Sequence, residues 1–588
     1  MKRSLLVAVG AVAAVVVGGG PAAGQVAATD ARVSVGSPTG LTPRNHQNEP
    51  AVAVDAHAPN VLVAGSNDYI DQQPCPQQTA LASGSCLPPS RTNTGVSGVY
   101  FSFDSGHSWV QPEYTGWTRR DCSPTQPPCA GHVGPIGTLP WYYENNLVSF
   151  GDPAVAVGPV PVNGRFSWAN GSRVYYANLA ANFSAVLQPI PGGQFQGDLG
   201  VAVSRLDNPT LVRVRQKSSW RPPVIAIGRG GASGGEDKEQ VWADNAASSP
   251  FFGNVYVCSA DFRAGGAVPI MVAYSTDGGA TWTTRQATSN AGAGGSFAKF
   301  GYRTGCTIRT DSHGVVYLVY SNFRAGLPGH GFHVLQKSFD GGKHWTRPRA
   351  VLAMNDMCYQ VDPVYGRCVM DGYAGARIDL SAAPSVDIAN GAPTGADATN
   401  LIIDAWSDGR FGFNNEKTLV AASSNGGSSW TAPSVASLPG DRSMYSAPAV
   451  APNGRRVYVM YEGPTAPWRG ADMASPRPYH GVFRSAAVTG TAIGAWETVL
   501  SGPLGDLRGT YPGHDIYQER VGDYVYAAAS RTYGVGVWTD ARDAAVCPTV
   551  QGYRAASLAA GALAPFCLVR RRAGTGTRTR NRPITSAR

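Results

Sequence analysis

Ile270-Met-Val-Ala-Tyr-Ser275-Thr-Asp277-Gly-Gly279-Ala-Thr-Trp282 is the stretch whose reading decides the fold. A β-rich run ends in serine, and an acidic residue, a glycine and a tryptophan then follow at fixed offsets. The same pattern stands at Ser102-Phe-Asp104-Ser-Gly106-His-Ser-Trp109, Ser338-Phe-Asp340-Gly-Gly342-Lys-His-Trp345 and Ser423-Ser-Asn425-Gly-Gly427-Ser-Ser-Trp430. Each copy reads as a hairpin turn between two strands. The Asp or Asn oxygen accepts from turn N–H groups, glycine supplies positive φ, and tryptophan packs the turn onto its sheet.

The interval from Asp104 to Asp277 leaves room for two further repeats without the pattern. Units of several short strands at such a period are the signature of a β-propeller, which buries the faces of each sheet by radial repetition. The sequence therefore predicts an all-β fold, a six- or seven-bladed β-propeller. Innermost strands are expected near Pro50–Val54, Pro153–Val157, Glu239–Trp242, Gly305–Ile308, Ala376–Asp379, Ala447–Val450 and Gly522–Val525, with second strands after most of them.

Residues 1–30 read as a secretory signal: Lys2 and Arg3, an apolar run from Leu5 to Val17, then small residues. No later segment is long and apolar enough for a membrane span, so a secreted protein without a membrane span is expected. The ten cysteines of an exported chain read as disulfides. Spacing pairs Cys75 with Cys86, Cys122 with Cys129, Cys358 with Cys368 and Cys547 with Cys567. Cys258 and Cys306 remain, on strands of adjacent blades. No Cys or His spacing calls for a metal, and no cofactor is expected. The net charge of +9 is concentrated in the signal and in a basic, disordered tail over residues 566–588, so nucleic acid is not an expected partner.

The four turns are the Asp-box, or bacterial neuraminidase repeat, and over residues 31–565 the chain resembles the sialidase-like β-propellers of exported bacterial type. That resemblance implies glycans or glycoconjugates as partners, a monomer, and an exo-glycosidase acting on sialic acid or a related acidic sugar. The alternative is a non-catalytic propeller that binds glycans or cell wall, because Asp-boxes also occur in relatives without activity. After the fourth box, Met444-Tyr445-Ser446 and Val457-Tyr-Val-Met-Tyr461-Glu462 are similar to the family's Tyr-Ser motif and to the strand ending Tyr-Glu. Tyr445 is thereby the expected nucleophile, Glu462 its assistant, and Asp68 the acid/base. Arg377, Arg410, Arg303 and Arg520 are the expected carboxylate binders, since a guanidinium fork grips a carboxylate through two bonds. The family's first arginine motif falls on Asn48-Glu49-Pro50, which lacks the arginine.

Two positions per blade face the same end of a propeller: the turn into the innermost strand and the turn out of the second. The first set is Asn48-Glu49, Asp152, Glu239, Arg303, Arg377, Tyr445 and Asp523. The second repeats an acid–arginine pair, Asp261/Arg263, Asp408/Arg410 and Asp540/Arg542, which reads either as a ligand clamp or as one structural bond made again in each blade. Glu49, Asp152, Glu239 and Asp523 could also crowd the mouth and share a cation; surface carboxylates are the plainer reading.

Overall fold

The computed structural model describes residues 30–38, 43–74, 93–123, 129–229, 234–263, 267–289, 303–323, 330–362, 367–371, 377–378, 380–469, 475–509 and 521–544. The expected signal, the basic tail, the pairs Cys75–Cys86 and Cys547–Cys567, and Arg520 fall outside them. The fold is all-β. Its strands form antiparallel meanders in which each strand bonds to the next in sequence. One sheet is Arg303–Thr310, Val316–Phe323, His330–Ser338 and Arg349–Asn355, and another is Ser385–Ile388, Ile402–Asp408, Lys417–Ser423 and Ser434–Val435. The meanders beginning at Ala154–Val162 and Gly234–Ala243 are joined through a parallel pairing of Gly235 with Leu199.

The first strands of successive meanders pack side by side: Gln47–Val54 against Ala154–Val162, then Gly234–Ala243, Arg303–Thr310, Ser385–Ile388, Ser446–Val450 and Tyr526–Ala529, which returns to Gln47–Val54. Two of the seven differ from the sequence reading. In the fifth meander the strand forms at Ser385–Ile388, where Val386 and Ile388 point into the core, while Arg377 makes an isolated bridge with Val369. In the last meander the strand begins at Tyr526, beyond Asp523.

Both faces of these sheets are covered, and side-chain alternation shows how. Along Val255–Arg263, Tyr256, Cys258 and Ala260 pack with Ile308, Leu318 and Tyr320 of the following sheet. Val255 and Val257 pack with Tyr175, Val201 and Val203 of the preceding one. A strand buried on both sides reads as an unbroken apolar run, as Val255-Tyr-Val-Cys258 does. Cys258 and Cys306 are bonded across adjacent sheets, and Cys122–Cys129 and Cys358–Cys368 are the other disulfides among the described residues.

The four repeated turns share one hydrogen-bond pattern at the end of the third strand. Gly279 N–H donates to Ser275 Oγ at 2.7 Å, Ser275 Oγ donates to Asp277 Oδ1 at 2.8 Å, and Thr281 N–H donates to Asp277 Oδ1 at 3.0 Å. The turns at Asp104, Asp340 and Asn425 repeat the bonds to the acidic or amide oxygen. Gly279 has φ 82°, which glycine adopts without the Cβ penalty. Trp282, Trp345 and Trp430 lie against the cores between sheets.

Candidate functional site

At the start of the first strands the chain repeatedly turns left-handed. Glu49, Asp152 and Lys238 have φ of 53°, 51° and 58°, and Gly305 and Gly522 have 60° and 87°. At Glu49, Lys238 and Gly305 the pairing register slips, between Asn48 and Ala51, Asp237 and Gln240, and Thr304 and Thr307. These bulges re-aim side chains toward one shared end of the ring. Each left-handed non-glycine residue costs on the order of 1 kcal/mol or more, and such strain collects at functional sites.

The re-aimed side chains form a buried ionic network. Lys238 Nζ lies 2.6 Å from Asp523 Oδ2, 3.2 Å from Asp152 Oδ2, 3.5 Å from Asp237 Oδ1 and 3.9 Å from Glu49 Oε1. Arg377 Nε donates to Asp523 Oδ1 at 2.7 Å, and a second guanidinium nitrogen donates to Oδ2. Glu49 accepts from Asp523 N–H and from Asn67 Nδ2, each at 2.8 Å. The side chain of Asn67 also accepts from Asp152 N–H at 2.7 Å. Gly522 makes the close approach possible, because a Cβ there would stand 2.2 Å from Glu49 Cγ.

This network sets the ionisation of its members. Burial pushes Asp523 up, but Arg377 and Lys238 outweigh it and hold the carboxyl well below its usual range. Asp152 is likewise lowered, with Lys238 overcoming burial. For Lys238 burial works downward, and Asp152, Asp237, Asp523 and Glu49 together raise it well above the ordinary lysine value. Glu239 moves the opposite way to its acidic neighbours. Burial, then the charge of Asp152, push it well above the usual carboxylate value, and neither of its oxygens has a hydrogen-bond partner.

A cleft opens on this network, lined by Lys238, Glu239, Tyr445, Ser446, Asp523, Tyr524 and Tyr526 among others. Tyr445 is buried beneath it; its hydroxyl donates to the Arg377 carbonyl and lies 3.4 Å from Asp523 Oδ1. Ser446 Oγ has no hydrogen-bond partner.

Of the residues expected from sequence, Tyr445 and Arg377 therefore meet here. Glu462 is joined to Tyr445 through the backbone, its N–H donating to the Tyr445 carbonyl at 3.1 Å. Its carboxyl turns to Thr539 N–H at 2.9 Å, and burial pushes it up to about 8. Asp68 is fully buried, accepting from Ser37, Gln47, Tyr100 and Gln111 side chains and from Ile70 N–H. Arg410 grips Asp408 and the Ala353 carbonyl. Arg263 and Arg542 grip Asp261 and Asp540 in the same way. The acid–arginine repeat is thus one local bond made in several sheets. The Arg303 side chain lies outside the described residues.

Lys238 was not singled out in the sequence. In a regular strand it would point away from Glu239, and only the bulge brings both to one end. Lys238 stands where a cation shared by Glu49, Asp152 and Asp523 would stand. Among the described residues no group of three or more His, Cys, Asp or Glu side chains is placed to hold a metal, and no helix is long and apolar enough to cross a membrane.

No family profile matches the chain, and no curated protein matches it. Solved structures similar to it include a Hadza microbial sialidase, at 12% identity and TM-score 0.38, covering 71% of this chain and 64% of that one. Trypanosoma rangeli sialidase in complex with the inhibitor DANA is 11% identical with TM-score 0.36, covering 72% and 53%. The intramolecular trans-sialidase from Ruminococcus gnavus in complex with oseltamivir carboxylate is 12% identical with TM-score 0.36, covering 73% and 93%. The chain thus spans less than two thirds of the length of the first two.

Proposed function

We propose that the chain is an exported, sialidase-like β-propeller of seven blades that acts on glycans as a glycoside hydrolase at the end of the ring where Lys238 and Tyr445 meet. The ring of seven first strands and the Asp-box hydrogen bonds support the propeller reading. The N-terminal segment 1–30, with the disulfides, supports export. The propeller would occupy residues 31–565, with residues 566–588 as a basic tail, and act as a monomer.

One observation carries the enzymatic reading. Glu239, a buried carboxyl pushed well above the usual carboxylate range, lines the same cleft as Tyr445 and as Asp523, which is held well below that range. Two carboxyl groups pushed to opposite ionisation states are what acid-assisted glycoside cleavage uses. Glu239 would protonate the leaving oxygen. Tyr445 would attack the anomeric carbon, passing its phenolic proton to Asp523 Oδ1, and water would release the sugar with Glu239 as base. The resemblance implies sialic acid or a related acidic sugar, for which Arg377, beside Tyr445, would have to give up its bonds to Asp523.

Non-catalytic glycan binding is the second reading, and the placement of Arg410 and Glu462 favours it. Arg410 is engaged by Asp408 and the Glu462 carboxyl turns to Thr539. Fluorophore release from a panel of α-sialosides and hexosaminides separates the two. Turnover that falls by about 10²–10⁴ in Glu239→Gln, and disappears in Tyr445→Phe, establishes the enzyme. Glycan-array binding without turnover establishes the module. Neither turnover nor binding ends the glycan reading.

A further inference from the structure

The ionic network against which the cleft opens holds more carboxyl groups than cations. Glu49, Asp152, Asp237 and Asp523 bring four to Lys238 and Arg377, and of these six residues Lys238 and Asp523 line the cleft itself. Both cations are already engaged, Lys238 by Asp523 and Asp152, and Arg377 by Asp523. A ligand carboxylate entering here meets no unoccupied cation at this network and several carboxyl oxygens.

The chain also leaves two groups in the cleft unsatisfied. Glu239 is only 4% exposed, and neither of its oxygens is bonded; Ser446 Oγ, in the same lining, is not bonded either. Burying a polar group without a partner is costly, so this place suits a donor brought by the ligand. A sugar hydroxyl supplies one hydrogen. An ammonium supplies three, enough for both Glu239 oxygens and Ser446 Oγ, and it also offsets the surplus negative charge. The rings of Tyr524 and Tyr526 beside them give a wall on which a pyranose can lie.

Resting on the second, non-catalytic glycan-binding reading above, we infer that the ligand is an amino sugar with an unacetylated amine, whose ammonium seats against Glu239 and Ser446. Glu239 is faced by Asp152, Asp237 and Lys238, and by the hydroxyls of Tyr142, Tyr176, Tyr524 and Tyr526. In the empty cleft, burial and the charge of Asp152 favour the protonated carboxyl. An ammonium bound beside it favours the carboxylate, so an ammonium–carboxylate pair forms with release of the proton to solvent and no covalent bond between protein and sugar.

The test is calorimetric titration of the full chain at about pH 6, where an amine is cationic, in two buffers of different ionisation enthalpy. The ligands are a β-linked glucosamine oligomer, its N-acetylated counterpart and a sialylated trisaccharide. The glucosamine oligomer should bind at least about tenfold tighter than the acetylated one, releasing close to one proton per ligand. Glu239→Gln should abolish both the preference and the release. If that variant fails to fold by its melting curve, Ser446→Ala, expected to weaken the glucosamine oligomer several-fold, and the wild-type proton count carry the test. Equal or tighter binding of the acetylated or sialylated ligand, or binding without proton release, overturns the amino-sugar inference and leaves the glycan reading intact. Failure of all three ligands, together with a blank glycan array, removes both.

Discussion

Lys238 Nζ sits 2.6 Å from Asp523 Oδ2, joining the third and last meanders by an ion pair shielded from water. The same ammonium holds Asp152 at 3.2 Å, and Arg377 shares Asp523 from the other side. Charges from four parts of the chain, spread over residues 152–523, thus meet at one point.

Removing the ammonium should therefore be severe. Lys238→Met leaves Asp152 ionised without its main partner and Asp523 with Arg377 alone, and breaking a buried pair from one side costs about 3–5 kcal/mol. Urea denaturation should show a loss of that size, with part recovered in Lys238→Met/Asp523→Asn. A single variant as stable as wild type would mean that water or another cation already screens the site.

The repeated turns should behave differently. Asp277→Ala removes the acceptor of Thr281 N–H and Thr281 Oγ1 at the end of a third strand. The turn is solvent-facing, so the expected cost is about 1 kcal/mol, the usual net value of such a bond. Titration of the cleft should be unaltered. A loss of ligand binding at unchanged stability would contradict the separation between turns and cleft.

How far the sequence could be read follows from the same two features. The geometry of the repeated turns is local: serine, acidic residue and glycine bond within one turn, so the pattern is visible in a short string. Glu49, Asp152, Glu239, Arg377, Tyr445 and Asp523 could be picked out because each precedes a first strand or lies in the segment leading to one. Lys238 was hidden, because strand alternation assigns it the face opposite Glu239 until a bulge turns it. The direction of the Glu462 carboxyl was hidden as well. Its backbone pairs with Tyr445, but its side chain is claimed by Thr539 from a sheet far along the chain. Nor does spacing reveal that Arg410 is engaged by Asp408, because a ligand clamp and a local bond share one string of residues.

The Cys258–Cys306 bridge closes a loop spanning 48 residues and fastens two neighbouring sheets. Chain-entropy arguments give such a loop roughly 4 kcal/mol of stabilisation. The double variant Cys258→Ala/Cys306→Ala should lose most of this in chemical denaturation. The cleft, which Cys306 helps to line, should still form, because the Lys238, Asp152, Arg377 and Asp523 side chains bond to one another. Reduction of the wild-type protein should lower stability by at least this much, because it also opens Cys122–Cys129 and Cys358–Cys368, and the double variant should be insensitive to reductant at this bridge. Equal stability of the variant and oxidised wild type would rule out a staple role.

Glu462 gives a pH signature of definite sign. Its folded-state value of about 8 stands above the unfolded value of about 4.3, so the folded chain binds this proton more tightly. The stability it contributes is fully present below about pH 4 and is lost as pH rises, until the folded carboxyl ionises near 8. Glu462→Gln keeps an oxygen for Thr539 N–H and removes the ionisation. The stability of the variant minus that of wild type should therefore grow between about pH 5 and 8, by up to about 1.4 kcal/mol per unit, and level off above. Other raised carboxyls, such as Asp244 at about 7, titrate in both proteins and cancel in the difference. Urea midpoints at about pH 5, 6.5 and 8 measure it; a flat difference, or one that shrinks with pH, would show that Glu462 is already ionised in the folded chain.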